Sequence, residues 1–514
     1  MEARRELRLA VGVTILLVTA CGAAAPGAIP PGSSLASTTP TPAVRTASLP
    51  PPVTITAAPS RSASPAPAVA RTAEGLWAPA GTLYDPRIGP RLVGVAADRG
   101  VGGFLVVGND RDCDYAGGAY GDTVAVEESD WAGARASLGE LAPMSWRDTT
   151  SLGAPRADFV AVRLRDDRVL VAGGVNAGID HQMYTFESYS SAWTYEAASS
   201  TWERAGLMAQ ARTDPSGALL RDGRVLVAGG LYERIVEPPS VLPPNGSGAT
   251  GATTGSRHGV LADIGPKPVQ PPVPVLATAE LFDPATNRWS ATASMRYARY
   301  GAPAVTLADG RVLVVGTSWN QQQGRWGRSG EVSLDPRTSW TAELYDPRTR
   351  RFALAAELPV GVVDGSLVAL PDGGALLVGW TSDANGTAPP VPEGTPLHYD
   401  AARDRWLVAS GPSAPARSHV IAVALEDGRV LVTGGEADYR EGPSDKADLY
   451  DPATDRWSSL PPMPTPRAGG AGALGTDGSV LIVGGYSVSV SDGTCPPGLA
   501  SALWFIPDVT ELEG

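Results

Sequence analysis

Six arginines occupy one fixed place in this chain. Arg91, Arg156, Arg212, Arg299, Arg417 and Arg467 each stand ten residues before the first letter of a phrase of the type DGRVLVAGG, as at Asp222–Gly230. The phrase occurs seven times, and only its fifth copy breaks the series, with Val362 in the arginine's place. A guanidinium is a planar, permanently charged fork. A ring of them suits a two-pronged grip on carboxylates or sulfated sugars. The same fork also suits backbone carbonyls or an acidic neighbour, which would fix the loop that carries it.

Other residues invite chemistry less regularly. His181, Tyr184 and Tyr189 occur in HQMYTFESY, and Trp319 and Trp326 in SWNQQQGRWGR. Such rings stack on sugars or anchor a protein partner when exposed, and pack on their own scaffold when not. Asp110, Asp112 and Asp114 alternate like the start of a calcium loop. The glycine that should follow the third aspartate is absent, and Gly121 stands where the twelfth-position acid belongs. Calcium is therefore a weak candidate there. The four histidines, His181, His258, His398 and His419, are scattered. No Ser/His/Asp grouping, phosphate loop or thiolate metal pair is present, so no cofactor and no catalytic residue is assigned.

The elements that must position these residues are strands. Gly (60) and Pro (47) are abundant, and short β-branched runs between turn residues replace helical periodicity, which is an all-β signature. In the repeated phrase Asp-Gly favours a tight hairpin turn, and VLV reads as a strand buried on both faces. The two glycines end it where a side chain would block close backbone packing. The copies begin at 101, 166, 222, 309, 372, 427 and 477. A second phrase follows several of them: AELFDPATNRW (279–289), AELYDPRTRRF (342–352), PLHYDAARDRW (396–406) and ADLYDPATDRW (447–457). Asp-Pro is again a turn, so each unit holds four antiparallel strands, a to d.

This double pattern resembles the kelch repeat, over nearly all of residues 75–514. The resemblance implies a seven-bladed β-propeller with four strands per blade, which removes exposed sheet edges by radial closure. Its d–a and b–c loops would share one face, with long b–c loops at 175–190, 231–276, 317–340 and 380–395. Kelch repeats commonly carry an arginine at the d–a loop, which favours the loop-fixing role for the six. The last unit ends with SALWFIPD (501–508) and lacks a fourth strand. Gly75-Leu76-Trp77 is expected to supply it, closing the ring by completing the last blade. Closure would bring the first and last blades together, so a Cys113–Cys495 disulfide is expected across the seam in an oxidising compartment. Galactose oxidase and related copper radical oxidases use such a propeller. Their two tyrosines, two histidines and Tyr–Cys crosslink cannot be matched here, nor can the functional residues of kelch-type sialic-acid epimerases. Fold alone confers no activity.

The N-terminus reads as an export signal: MEARRELR, the apolar run Leu9–Ala20, then Cys21. Val18-Thr19-Ala20-Cys21 resembles a bacterial lipoprotein lipobox, which implies a signal peptide over 1–20 and lipid on Cys21. Residues 21–74 hold eleven prolines among Ala, Ser and Thr, and read as an extended, disordered stalk. At roughly 3 Å per residue about fifty residues reach at most ~150 Å. The net charge of −13 and the lack of any basic run exclude nucleic acid as a partner. The expectation is a monomeric lipoprotein on the outer face of a bacterial membrane, touching the membrane only through its anchor. It would bind a protein or glycan at the cell surface through the loop face. The alternative is a secreted carbohydrate-active or copper-oxidase-like enzyme.

Overall fold

Positive-φ glycines turn the chain at the start of the repeated phrase. Gly223, Gly310 and Gly428 take φ near +90°, a region that L side chains rarely enter. In this computed structural model the described residues run from 70 to 507, apart from 73–74, 88, 96–102, 109–124, 131–144, 150–151, 153–155, 181–182, 233, 238–272, 317–335, 382–393, 412–416, 438–441 and 489–496. Among them every element is a strand except the 3-10 turn Pro336–Trp340.

One blade shows the pattern. Strand a (Ser216–Leu219) pairs with b (Val225–Ala228), b with c (Ala279–Asp283), and c with d (Arg288–Ala291), all antiparallel. Strand b is buried along its whole length in this blade and its counterparts, as its VLV composition requires. On c and d an aromatic pair recurs: Phe282–Trp289, Tyr345–Phe352, Tyr399–Trp406 and Tyr450–Trp457, with ring centroids 4.9 to 5.1 Å apart. The tryptophan then reaches the preceding blade, where Trp289 Nε1 donates to Ala205 O at 2.7 Å. Core clusters accordingly lie between sheets. One joins Leu226 and Leu281 of this blade to Val312 and Tyr345 of the next.

The expected count of seven four-stranded blades is corrected. Among the described residues six four-stranded sheets form blades, not seven. The seventh phrase, DGSVLIVGG, lies in a five-stranded sheet woven from both ends of the chain. There Ala471–Leu474, Val480–Val483 and Leu499–Ile506 are joined by Gly75–Arg87, and Ala70–Thr72 pairs with the outer side of Gly75–Trp77. Ala70–Thr72 falls within the stretch read as stalk, so the folded part begins before residue 75. Trp77 is fully buried and donates Nε1 to Pro461 O at 2.9 Å.

Strands Arg91–Val95, Val160–Arg163, Ser216–Leu219, Ala304–Thr306, Val362–Ala369, Ile421–Ala424 and Ala471–Leu474 are neighbours in a closed circuit, so strand a of each sheet is innermost. The N-terminal ends of these strands set the inner mouth on the d–a loop face.

Candidate functional site

The arginine series is a set of joints. Arg212 Nη1 donates to Gly229 O at 2.9 Å and Thr278 O at 2.7 Å, clasping strands b and c of its own blade. Its main-chain carbonyl accepts from Gly174 N of the preceding blade at 2.8 Å. Arg299 repeats this with Gly316 O, Thr341 O and Gly230 N, and Arg467 with Gly484 O, Ser501 O and Gly435 N. The double glycine is needed for that contact: a Cβ on Gly229 would sit 2.4 Å from Arg299 O. Arg156, Arg212, Arg299, Arg417 and Arg467 are at most 5% exposed. Their geometry is that of loop fixing, because a guanidinium committed to interior carbonyls has no face left for a ligand. Arg91 differs. It is exposed and reaches Phe159 O with Nε at 3.3 Å.

Three of these cations have buried carboxylates: Arg212 with Glu280, Arg299 with Glu343 and Arg417 with Asp448, at 3.0 to 3.1 Å. Glu343 also accepts from Arg296 N and Tyr297 N, tying the d–a loop to strand c. At the matching strand-c position beside Arg156 stands Trp193, and beside Arg467 stands Leu503. Burial lowers the pKa of both those arginines to about 10, and both remain cations at neutral pH. Arg156 has an aromatic substitute for the missing acid, with the Tyr189 ring 4.8 Å from its Cζ. In the blade that lacks the arginine, Leu397 takes the acid's position, and it is buried with Val362 in one apolar cluster. In that one blade both members of the pair are apolar, whereas the blades of Arg156 and Arg467 keep the arginine without the acid.

Two residues beyond five of the seven positions the chain reaches the inner mouth. Asp158, Asp214, Gly301, His419 and Gly469 all have φ between 52° and 65°. Their backbones link neighbouring sheets: Asp214 N donates to Asp158 O, Gly301 N to Asp214 O, Gly469 N to His419 O, and Gly89 N to Gly469 O, at 2.7 to 3.1 Å. One link is made by a side chain instead, His419 N to Asp364 Oδ2 at 2.6 Å. Asp158 and His419 are exposed, and Asp214 and Asp364 half-buried. Close by, Tyr486 Oη donates to Glu436 Oε2 at 2.7 Å, and burial raises the tyrosine's pKa, with that carboxylate adding to the shift. This rim was missed from sequence. Its signal is the run of Asp, Gly and His at one repeat position, residue types that tolerate positive φ.

A second unforeseen feature rises from the b–c loops. Val175–Asp180 and Met183–Ser188, in the first long b–c loop, form a hairpin. Met183–Ser188 also pairs with Arg234–Glu237 from the next b–c loop, giving a three-stranded sheet outside the blades. Its base is pinned. Ser188 Oγ lies 2.7 Å from Thr213 Oγ1 and donates to Leu231 O, all three residues are buried, and Val175 pairs with Ala157.

The remaining sequence candidates fall as follows. Tyr184 lies in this sheet opposite Ile179 and Glu237, and Tyr189 is the half-buried ring on Arg156. Cys21, Cys113, Cys495, His181, Trp319, Trp326, Asp110, Asp112 and Asp114 lie outside the described residues, and with them the expected disulfide and calcium loop.

Comparison with known proteins agrees with the architecture. The family model described as the Kelch motif matches residues 422–464, which span most of the blade from Ile421–Ala424 to Arg456–Ser459. The fold is a kelch β-propeller. Kelch-like protein 25 of Xenopus tropicalis is 26% identical over 206 residues, 40% of this chain and 32% of that protein. The chain therefore spans about a third of that curated relative's length. Among solved structures, a novel fungal alcohol oxidase of the AA5 family, in complex with copper, is 15% identical with a TM-score of 0.52. The match covers 84% of this chain and 76% of that one, a likeness of fold alone. The structure of YjhT is 16% identical over 68% of this chain and 95% of that one, at a TM-score of 0.42 too low to support any inference.

Copper does not fit the described part of this propeller. His398 lies on strand c with Nε2 2.8 Å from Asp372 of the a–b turn, whereas His419 sits on the rim at the other end of the blades. No group of three or more His, Cys, Asp or Glu side chains suited to a metal occurs among the described residues.

Proposed function

We propose that this chain is an exported, lipid-anchored kelch propeller that binds a protein or glycan partner with its d–a and b–c loop face. The anchor rests on the Val18-Thr19-Ala20-Cys21 lipobox and the proline-rich stretch behind it. The observation that carries the binding role is the pinned three-stranded sheet. A mere connector needs no strands of its own, whereas two loops that pair with each other over a buried Ser188–Thr213–Leu231 base form a preorganised surface. Beside it the rim offers Asp158 and Asp214, and Tyr232 stands 40% exposed next to Leu231. Such mixed aromatic and polar surfaces suit a protein or a sugar.

The test is crosslinking pull-down from intact cells, comparing the chain with a variant whose residues 176–187 are replaced by a short Gly-Ser turn. Loss of a defined partner, with the circular dichroism of the blades retained, supports the reading. Unchanged capture refutes it. For the anchor, metabolic palmitate labelling should vanish in Cys21→Ala. Stoichiometric copper together with alcohol-dependent oxygen uptake would sink the binding-only view.

A further inference from the structure

Arg91 does not hold the structural place of the other five arginines. In its blade the rim residue is Gly89, with φ 62° and its N donating to Gly469 O. That rim place lies two residues before Arg91, whereas elsewhere it lies two residues after the arginine. Strand pairing agrees. Arg91 faces Val107, just before Gly108, as Ala471 faces Val483, just before Gly484, and Ala471 is four residues beyond Arg467. Position 87 is itself an arginine, and its backbone pairs with Leu499 as that of Arg299 bonds Leu276. The joint position therefore falls on 87, and Arg91 stands four residues past it.

At that later position other blades use serine. Ser216 Oγ donates to Ala302 O and Ser366 Oγ to Val420 O, each in the following blade. Arg91 makes the same link with Nε, to Phe159 O. A serine hydroxyl spends its one donor there, whereas a guanidinium keeps four N–H groups on its two amino nitrogens. Those of Arg91 have no partner among the described residues, and the residue is exposed. Next to it the mouth is open: a Cβ on Gly89 would meet nothing within 4 Å. The residue before Phe159 is Asp158, exposed on the same mouth. A guanidinium fork and a carboxylate from adjacent blades thus border one opening. The fork suits a ligand carboxylate in a two-pronged grip, and the aspartate suits an ammonium. A ligand with only negative charge would be opposed by Asp158, and one with only positive charge by Arg91. We propose that Arg91 and Asp158 form a binding site for a small zwitterion, a free α-amino acid, at the inner mouth. The site depends neither on the lipid anchor nor on the partner surface of the three-stranded sheet.

Isothermal titration of the full chain in detergent with free glycine, acetate and ethylamine tests it. Glycine carries both charges and no side chain, and the other two carry one charge each. The expected result is saturable glycine binding at about 1 mM or tighter, with acetate and ethylamine about tenfold weaker or more. Arg91→Ser installs the residue that two other blades carry at this place, so the link to Phe159 O can persist while the fork is lost. Asp158→Asn removes the charge and keeps a residue type that tolerates positive φ. Each should weaken glycine binding about tenfold or more, with the circular dichroism of the blades retained. No saturable glycine binding up to about 10 mM, acetate or ethylamine as tight as glycine, or glycine binding unchanged in either variant overturns the proposal.

Discussion

Replacing the Arg299–Glu343 pair by Val and Leu should cost much less than the two single replacements add up to. Both side chains are essentially unexposed, and they meet at 3.1 Å. Glu343→Leu removes the acceptor for Arg299, Arg296 N and Tyr297 N, and leaves a buried cation without its counter-charge. Arg299→Val removes the donor to Gly316 O, Thr338 O and Thr341 O, and leaves a buried carboxylate. Breaking a buried pair from either side costs about 3–5 kcal/mol, so the sum is about 6–10 kcal/mol. The double variant contains no buried charge. It reproduces the Val362 and Leu397 that the next blade already holds inside one apolar cluster. It still strands some loop carbonyls and amides, because Val362 has its own hairpin partner, Thr381, which Val at 299 would lack. A loss of about 3–6 kcal/mol is therefore expected, at least ~2 kcal/mol below the sum. Equilibrium urea unfolding of the four proteins in the cycle measures this directly. Additivity within about 0.5 kcal/mol would refute the view that arginine and acid act as one unit.

Three further outcomes follow from the same contacts. Gly229→Ala adds a Cβ 2.4 Å from Arg299 O at φ +70°, and should destabilise the chain by at least ~2 kcal/mol in the same urea assay. Trp77→Ala empties the fully buried site between the closing strand and its neighbour, and should cost about 3–5 kcal/mol and speed amide exchange in Leu499–Ile506. Tyr399, Tyr450 and Tyr486 have pKa values raised first by burial and then by Asp404, Asp455 and Glu436. Their stabilising contribution is present below the ordinary tyrosine value near 10 and lost as pH rises past it, because only the unfolded chain then ionises them. Ultraviolet titration should show part of the tyrosinate signal appearing only with alkaline unfolding, and Tyr486→Phe should lessen that alkaline loss.

Much of the blade was readable in advance because its signals are local. Asp-Gly, the all-apolar VLV and the paired glycines each state a backbone requirement within one short phrase. Counting phrases failed for blades because a phrase marks one a–b hairpin, not a sheet. The seventh copy shares its sheet with Gly75–Arg87 and Ala70–Thr72, strands from the other end of the chain. The acids Glu280, Glu343 and Asp448 sat in plain view in the second phrases. Their role depends on a guanidinium some 31 to 68 residues away, which no local pattern reveals. The small outer sheet was hidden for the same reason. Met183–Ser188 has its second partner in Arg234–Glu237, across an intervening blade's first strands. The rim was hidden differently: its residues, Asp158, Asp214, Asp364 and His419, look like ordinary loop composition until their common offset from the arginine position is noticed.

Crosslinking mass spectrometry on intact cells tests the binding role most directly, since it reports which face of the propeller meets a partner. Partner crosslinks are expected in residues 175–190 and 231–237 and around Asp158, Asp214 and His419. Crosslinks concentrated instead on the opposite turns, at Asp166–Arg168, Asp222–Arg224, Asp309–Arg311 and Asp427–Arg429, would contradict the binding role.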